Sequence, residues 1–416
     1  MKRALTHVGG EVETSGSREI AAALAAALDV TPPEAPRRRE KDEEPAVDDP
    51  DRAHVHGFHT YPARMHPATA ARLVGALSDP GSVVLDPFCG SGTVLVESMI
   101  AGRRAVGTDL NPLAVRLAAL KTTPGDAAFR DALVAAARAV AAFADQRRQR
   151  RAGATRRYPP EDVALFDPHV LLELDSLRAG IAQLVKDDDR TRGALELVLS
   201  AILVKVSRRT SDTSSAVAAR RIAAGFPARL FARKTEELAR RLADFAALLP
   251  ANSAPARVAL DDAARLRSVA ASTVDAVVTS PPYVATYDYL AHHGTRMRWL
   301  GLDPRPFGAG EMGSRRRYAP LDAAEARAAW TRELAACLRA LSRVCRKGAR
   351  VALVLADSAV RGEALRADAL VASVAPDAGF APLARASQRR PHFHTPTARA
   401  FDEAPRAEHA IALEKR

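Results

Sequence analysis

Two short β-like runs bracketing a glycine loop constrain this fold more than any other feature of the chain. Ser82–Asp86 (SVVLD) is apolar and β-branched, is bounded by Asp79, Pro80 and Gly81, and reads as a buried strand. A glycine-containing loop and a helical pattern over Val94–Ala101 follow, and Arg104–Asp109 (RAVGTD) reads as a second strand ending on an acid. Strand, helix and strand within about 30 residues form a βαβ unit, so the two strands run parallel.

The remaining chain divides around that unit. Residues 1–50 read as a poorly ordered N-terminal tail, with one Ala-rich helix at Arg18–Leu28 before a Pro- and charge-rich stretch. Residues 51–124 hold the βαβ unit. Residues 125–250 carry almost no strand signal, and Ala127–Arg150, Asp162–Lys186, Arg192–Ser207 and Lys234–Leu249 repeat at helical spacing, which predicts a helical insertion. Strand patterns resume within 251–416 at Arg257–Leu260, Ala276–Thr279 and Arg350–Leu355, with a weaker one at His409–Leu413. The expected architecture is an α/β sheet interrupted by a helical block.

Composition serves mainly to exclude. At 416 residues, 47% apolar and 26% charged, the chain has ample material for a core, and wholesale disorder is ruled out. No run of 18 apolar residues exists, and no apolar segment backs the basic residues of MKRALTHVGGEVETSG, so neither a membrane span nor a signal peptide is expected and the location reads as cytoplasmic. Cys89, Cys337 and Cys345 are too scattered for a disulfide framework or a zinc site. His54, His56, His59 and His66 crowd together without an acidic or cysteine partner in register, so no metal is assigned to them. A net charge of +12 suits a polyanionic partner. Only eight of the 61 basic residues are lysine, however, a bias that a GC-rich genome imposes on any protein. Position therefore says more than the total, and two clusters stand out, Arg147–Arg157 and Arg315–Arg317.

The loop Asp86-Pro87-Phe88-Cys89-Gly90-Ser91-Gly92-Thr93 joins the first strand to its helix. Glycines there let backbone N–H groups approach a ligand, and the helix N-terminus adds partial positive charge. Leu95 stands where a dinucleotide fingerprint wants its third glycine, and no Gly-Lys-Ser/Thr follows, so neither NAD nor a Walker-type phosphate site fits. The Asp86 carboxylate suits an ammonium group instead. Twenty-three residues on, Asp109 can accept from both hydroxyls of a ribose. An adenosine ribose beside an amino acid describes S-adenosylmethionine.

After the strand Ala276–Thr279 comes Ser280-Pro281-Pro282-Tyr283. Two prolines fix φ and make a rigid exit from the sheet. Such a turn holds the Ser280 hydroxyl and the Pro281 carbonyl as fixed acceptors beside the flat face of Tyr283, which suits a planar base bearing an exocyclic amino group.

Taken together, Asp86–Thr93 and Thr279–Tyr283 resemble the amino-group DNA methyltransferases that modify cytosine N4 or adenine N6. His59–Arg64 is similar to the segment that precedes the cofactor motif in that family. The resemblance implies a Rossmann-like S-adenosylmethionine-dependent methyltransferase fold, a mostly parallel seven-stranded sheet with a helical insertion. It implies S-adenosyl-L-methionine bound by Tyr61, Pro62, Asp86, Pro87, Phe88, Gly90, Ser91, Gly92, Thr93, Asp109, Asn111 and Asp262, although Asp261 is adjacent and either aspartate could be a turn residue. It implies catalysis by Ser280, Pro281, Pro282 and Tyr283, with no metal. Cys89 fills a small slot in the loop and is no nucleophile. Double-stranded DNA with a flipped target base is the implied partner, alongside a possible cognate restriction endonuclease. A serine at the first tetrapeptide position favours cytosine N4 over adenine N6. Two other readings compete: a tRNA guanine-N2 methyltransferase and an inactive nucleic-acid-binding protein of the same fold.

DNA contacts are expected from residues 284–320, read as a loop in which Tyr287, Tyr289, Trp299 and Tyr318 interleave with Arg296, Arg298 and Arg315–Arg317.

Overall fold

The computed structural model describes residues 10–30, 52–210, 216–218, 221–392 and 395–416. An N-terminal unit of β1 (Val12–Gly16) and α1 (Arg18–Leu28) precedes α2 (Pro67–Leu77). The βαβ unit is β2 (Val83–Asp86), α3 (Thr93–Ile100) and β3 (Arg104–Asp109), followed by α4 (Pro112–Lys121). Five helices come next: α5 (Ala127–Gln149), α6 (Pro160–Leu165), α7 (Pro168–Leu184), α8 (Asp189–Leu203) and α9 (Phe226–Leu248). The second half holds β4 (Arg257–Leu260), β5 (Val274–Thr279), α10 (Tyr289–Leu300), α11 (Arg305–Gly310), α12 (Arg315–Tyr318), α13 (Ala323–Val344) and β6 (Cys345–Ala356). A small hairpin of β7 (Ser358–Val360) and β8 (Glu363–Leu365), then α14 (Ala367–Val374), β9 (Phe380–Arg389) and β10 (Ala407–Lys415), complete it.

One sheet of eight strands runs through the molecule in the order β1-β9-β10-β6-β5-β2-β3-β4. The β4-β3-β2-β5-β6 stretch is parallel throughout, and antiparallel pairing begins at β10. This is a doubly wound, Rossmann-like α/β sheet, mostly parallel as expected. The eighth strand is a correction to the expected seven, and it comes from the segment read as a tail. Val12–Gly16 (VETSG) has almost no apolar content, yet it pairs residue by residue with Arg385–Gln388 and Ala384 of β9, while α1 buries Ala21, Leu24, Ala27 and Leu28. The expected Pro- and charge-rich part of the tail, 31–50, lies outside the described residues.

Alternation along the strands sorts the core. Val84, Ala276, Val278, Ala352 and Val354 face α1 and α2 on one side, and Leu85, Val277, Val351 and Leu353 face α13 and α14 on the other. The five helices between α4 and β4 are not a separate lobe. Leu133, Val140, Leu174, Leu195, Phe231 and Leu242 share one continuous core with Leu95, Met99 and Leu117 of α3 and α4. The helical pattern expected over Asp162–Lys186 is broken into α6 and α7 by Pro168, which cannot donate the hydrogen bond that a continuous helix would need.

The strand order reverses between β2 and β5: β3 and β4 lie beyond β2 on one side, β6 beyond β5 on the other. Open α/β sheets bind ligands outside the carboxyl ends of their strands at such a switch point. Asp86 ends β2 and Ser280 follows β5, so both sequence motifs meet there.

Candidate active site

The loop after β2 is shaped by two left-handed glycines, Gly90 (φ 50°) and Gly92 (φ 85°). A Cβ on Gly90 would lie 3.2 Å from the Tyr61 ring, and one on Gly92 would lie 3.1 Å from Ala118 on α4. The first glycine thus lets an aromatic ring onto the loop, and the second seats α3 against α4. Asp109 binds the loop from the neighbouring strand: its Oδ2 accepts from the Gly90 amide and its Oδ1 from the Asn111 amide, both at 2.8 Å. Asp86 accepts from the Thr279 hydroxyl at 2.6 Å and from the Phe88 amide at 3.1 Å. That first bond ties the two motifs to each other across the switch point.

A cavity of about 390 Å³ opens above this loop. Tyr61, Asp86, Pro87, Phe88, Gly90, Ser91, Thr93, Asp109, Asp262, Ser280 and Pro282 all line it. Its floor is acidic and the carboxylates are buried. Burial pushes the Asp86 carboxyl up to about 7 and that of Asp109 up to about 6, against backbone and hydroxyl donors that pull the other way. Burial likewise holds the Cys89 thiol well above its ordinary value, so it stays protonated. The adjacent aspartates separate cleanly. Asp261 accepts from the Ser268 amide and hydroxyl within its own turn, whereas Asp262 is the one on the cavity wall.

Pro62, Gly92 and Asn111 do not line this cavity. Asn111 is buried, caps α4 by accepting from the Leu113 amide at 3.0 Å, and offers its amide to the Tyr61 hydroxyl. Its side chain is committed to starting a helix and lies behind the cavity wall rather than on it. Gly92 acts through packing, as above.

A second cavity of about 490 Å³ lies next to the first, and Ser280, Tyr289 and Ala63–Met65 line both. Pro281 and Tyr283 belong to this second space, with Tyr287, Arg315, Arg390 and Glu408. The tetrapeptide therefore forms the partition: Pro282 faces one side, Pro281 and Tyr283 the other, and Ser280 both. Tyr283 is fixed by a 3.0 Å hydrogen bond from its hydroxyl to Glu408. Phe307, Met312 and Cys337 complete the first cavity, and Arg390 and Glu408 the second, from elements far away in sequence. No local pattern announces any of these five.

The stretch read as a DNA-contacting loop is largely helical and largely committed inward. Trp299 is buried against Tyr158 and Phe166, with ring centroids at 5.3 and 5.6 Å. Arg296 is buried and donates to the Ser200 carbonyl and the Thr60 hydroxyl, and Arg298 grips the buried Asp162. Tyr318 is buried on Glu333 at 2.9 Å. Arg316 faces Asp288 and Glu311, and Arg317 pairs with Glu333 at 3.1 Å. Helical spacing turns one face of α10 into core, which the aromatic-plus-arginine composition concealed. Tyr287, Tyr289 and Arg315 do line the second cavity.

Among the histidines, His56 contacts Glu97 at 2.6 Å, an acidic partner 41 residues away that the local pattern could not supply. Burial lowers His54 to about 4 and holds His56 well below its ordinary value, with Lys121 and Arg241 adding to the shift of the first and Lys121 and Arg64 to that of the second.

Residues 31–120 match a family model for DNA methylase of the N6/N4 type. Type II methyltransferase M.MvaI of Kocuria varians is 40% identical over 73 residues, 17% of this chain and 16% of that one. Type II methyltransferase M.MjaII of Methanocaldococcus jannaschii is 35% identical over 68 residues, 16% of this chain and 13% of that one. The chain thus spans about a sixth of the curated relatives it matches. A solved rRNA methyltransferase, AviRa of Streptomyces viridochromogenes, aligns over 90% of this chain and 95% of its own at 14% identity and a TM-score of 0.31. In the segment that holds Tyr61, Asp86 and the glycine loop, this chain carries the signature of the amino-group, N6/N4, methyltransferase family.

Proposed function

We propose that this protein transfers a methyl group from S-adenosylmethionine to the exocyclic amino group of a base extruded from double-stranded DNA, with cytosine N4 as the favoured acceptor. One observation carries the reading: two cavities, one acidic and one aromatic, share Ser280 as their partition.

The residues of the first cavity suit the donor. Asp86 is a buried carboxylate with raised affinity for a proton, so an ammonium group supplies the counter-charge it lacks. Asp109 keeps lone pairs for ribose hydroxyls after accepting two backbone amides. Asp262 and the ring of Phe88, on the wall of the same cavity, would take the adenine end. When bound, S-adenosylmethionine supplies an electrophilic methyl carbon on a sulfonium.

The second cavity prepares the nucleophile. An aromatic amino nitrogen is weak because its lone pair is delocalised into the ring. The Ser280 hydroxyl oxygen and the Pro281 carbonyl would accept its two N–H bonds and draw the nitrogen toward tetrahedral geometry, which frees the lone pair for in-line attack. The N–C bond would form as the C–S bond breaks with its electron pair on sulfur, and the surplus amino proton would pass to water. Tyr283, clamped by Glu408, holds the flipped ring by stacking. Rigid prolines keep these acceptors in place without reorganisation, so the rate comes from positioning and preorganised dipoles.

Incubating the protein with labelled methyl donor and, separately, duplex DNA and tRNA tests this reading. Label in DNA, recovered as N4-methylcytosine after digestion, is the expected result. Label in tRNA overturns the DNA assignment, and label in neither overturns the activity.

A further inference from the structure

Arg390 follows β9 and sits in the wall of the second cavity, and only 8% of its surface is exposed. Its guanidinium is held on two sides. Nε and Nη2 donate to Glu408 Oε2 at 3.1 and 3.0 Å, and Nη2 also reaches the Leu28 carbonyl at the end of α1 at 3.3 Å. Glu408 divides its oxygens: Oε2 takes Arg390, and Oε1 takes the Tyr283 hydroxyl. The residue that fixes the stacking ring is therefore itself fixed by Arg390. Yet Nη1 of Arg390 is buried with no hydrogen-bond partner among the described residues. A guanidinium stays charged at any ordinary pH, and a buried cationic N–H without an acceptor is costly.

The missing acceptor has a chemical signature. Beside its amino group, cytosine carries two acceptors in succession, the ring nitrogen N3 and the carbonyl O2. Adenine carries one, N1, and then a C–H. A buried donor that meets a carbonyl in one base and a C–H in the other rejects the second strongly, because its own hydrogen bond goes unmade. We propose that Arg390 is the base-selecting residue of this site, donating from Nη1 to the carbonyl of an extruded cytosine. The inference rests on the methyl-transfer reading above and supplies the physical reason for a cytosine preference that the Ser280 hydroxyl alone does not give. It also gives the N-terminal unit a task, since Leu28 and Val30 line the same cavity and α1 steadies the guanidinium.

The test begins by locating the modified base in DNA treated with the wild-type protein. Duplexes are then made with that target cytosine, with adenine in its place, and with a 2-aminopyridine C-nucleoside, which keeps the amino group and ring nitrogen but has C–H in place of the carbonyl. Wild type should lose at least tenfold in rate on the analogue. Arg390→Met also releases Glu408 from Tyr283 and should lose rate on every base, but its penalty for the analogue relative to cytosine should shrink toward none and its cytosine-to-adenine rate ratio should fall at least tenfold, with methyl-donor affinity within twofold of wild type. Arg390→Lys, which keeps a cationic donor, should recover part of the ratio. The analogue measurement uses only the wild-type protein and so stands even where the methionine variant does not fold. Equal wild-type rates on cytosine and the analogue would overturn the proposal, as would N6-methyladenine as the wild-type product. No methylated base at all would instead overturn the reading beneath it.

Discussion

The two cavities that meet at Ser280 are built by different means. The acidic one is mostly backbone: a strand end, a glycine loop and a helix start place Asp86, Gly90 and Thr93 within eight consecutive residues, and Asp109 arrives from the next strand. The aromatic one is mostly side chains converging from separated elements, with Tyr283 after β5, Glu408 on β10, Arg390 after β9 and Leu28 at the end of α1. A site made of contiguous backbone is fixed by local chemistry and leaves a local signature. A site assembled from distant strands is fixed by register, and can change its ligand through single side chains without disturbing the fold.

The sharpest test of that contrast is Asp86. Removing one partner of a buried charge pair costs about 2–5 kcal/mol, so Asp86→Asn should weaken methyl-donor binding at least thirtyfold by calorimetry. In wild type the carboxyl sits near 7, above its ordinary value of 3.8. Donor affinity should therefore fall as pH drops below about 7, by up to tenfold per unit, and the asparagine variant should lose this dependence. The sign for stability is opposite. A folded pKa raised by burial means that the contribution of this group to stability is full below about pH 4 and is lost as pH rises through 7. Asp86→Asn should consequently unfold at a higher temperature than wild type at pH 8, by a margin that shrinks at pH 5. A variant that loses both binding and stability at pH 8 would show that the carboxylate is structural.

Next in size is Tyr283, where stacking on a base is worth about 1–3 kcal/mol. Tyr283→Ala should lower transfer about 5- to 150-fold with donor affinity unchanged. Tyr283→Phe keeps the ring but loses the Glu408 bond, and should fall between. Loss of donor binding in either variant would merge the two cavities into one functional unit. The neighbouring aspartates give a smaller contrast. Asp262→Ala should cost about tenfold in donor affinity, the worth of one hydrogen bond to a charged group. Asp261→Ala should cost about 1 kcal/mol of stability through the Ser268 turn and leave affinity alone.

How far the sequence reveals the molecule follows the same division. Arg104–Asp109 and Arg257–Leu260 are strands with the predicted ends, the first inside the parallel stretch and the second at its edge, because turn residues and a short apolar run specify each locally. Phe380–Arg389 carries Pro382 and two arginines, and Val12–Gly16 is nearly all polar; each is a strand only because a neighbour pairs with it. Asp86, Asp109 and Ser280–Tyr283 announce themselves through spacing. Asn111 reads as a ligand contact in the sequence yet lies behind the cavity wall, because a helix cap and a ligand contact call for the same side chain. Trp299 and Arg296 look like a stacking platform in composition, and only packing against α8 and Tyr158 makes them core.

The smallest effect concerns the arginines at α12, and it separates a phosphate clamp from a scaffold. As a clamp, Arg315–Arg317 would each release about one counterion, so the triple alanine variant would flatten the salt dependence of DNA binding by nearly three units of slope. The geometry argues for less. Arg317 is spent on Glu333 and the Glu311 carbonyl, and Arg316 faces Asp288 and Glu311. Arg315 donates to the Thr286 carbonyl, an uncharged partner, on the rim of the second cavity. Its positive charge is the one left for a phosphate. Arg315→Ala alone should therefore reduce the slope by about one unit, and adding Arg316→Ala and Arg317→Ala should change it little further. Those two changes should instead lower thermal stability, since each strands a carboxylate beneath the cavity wall. A slope that falls in three equal steps would restore the clamp and make the carboxylate pairing incidental.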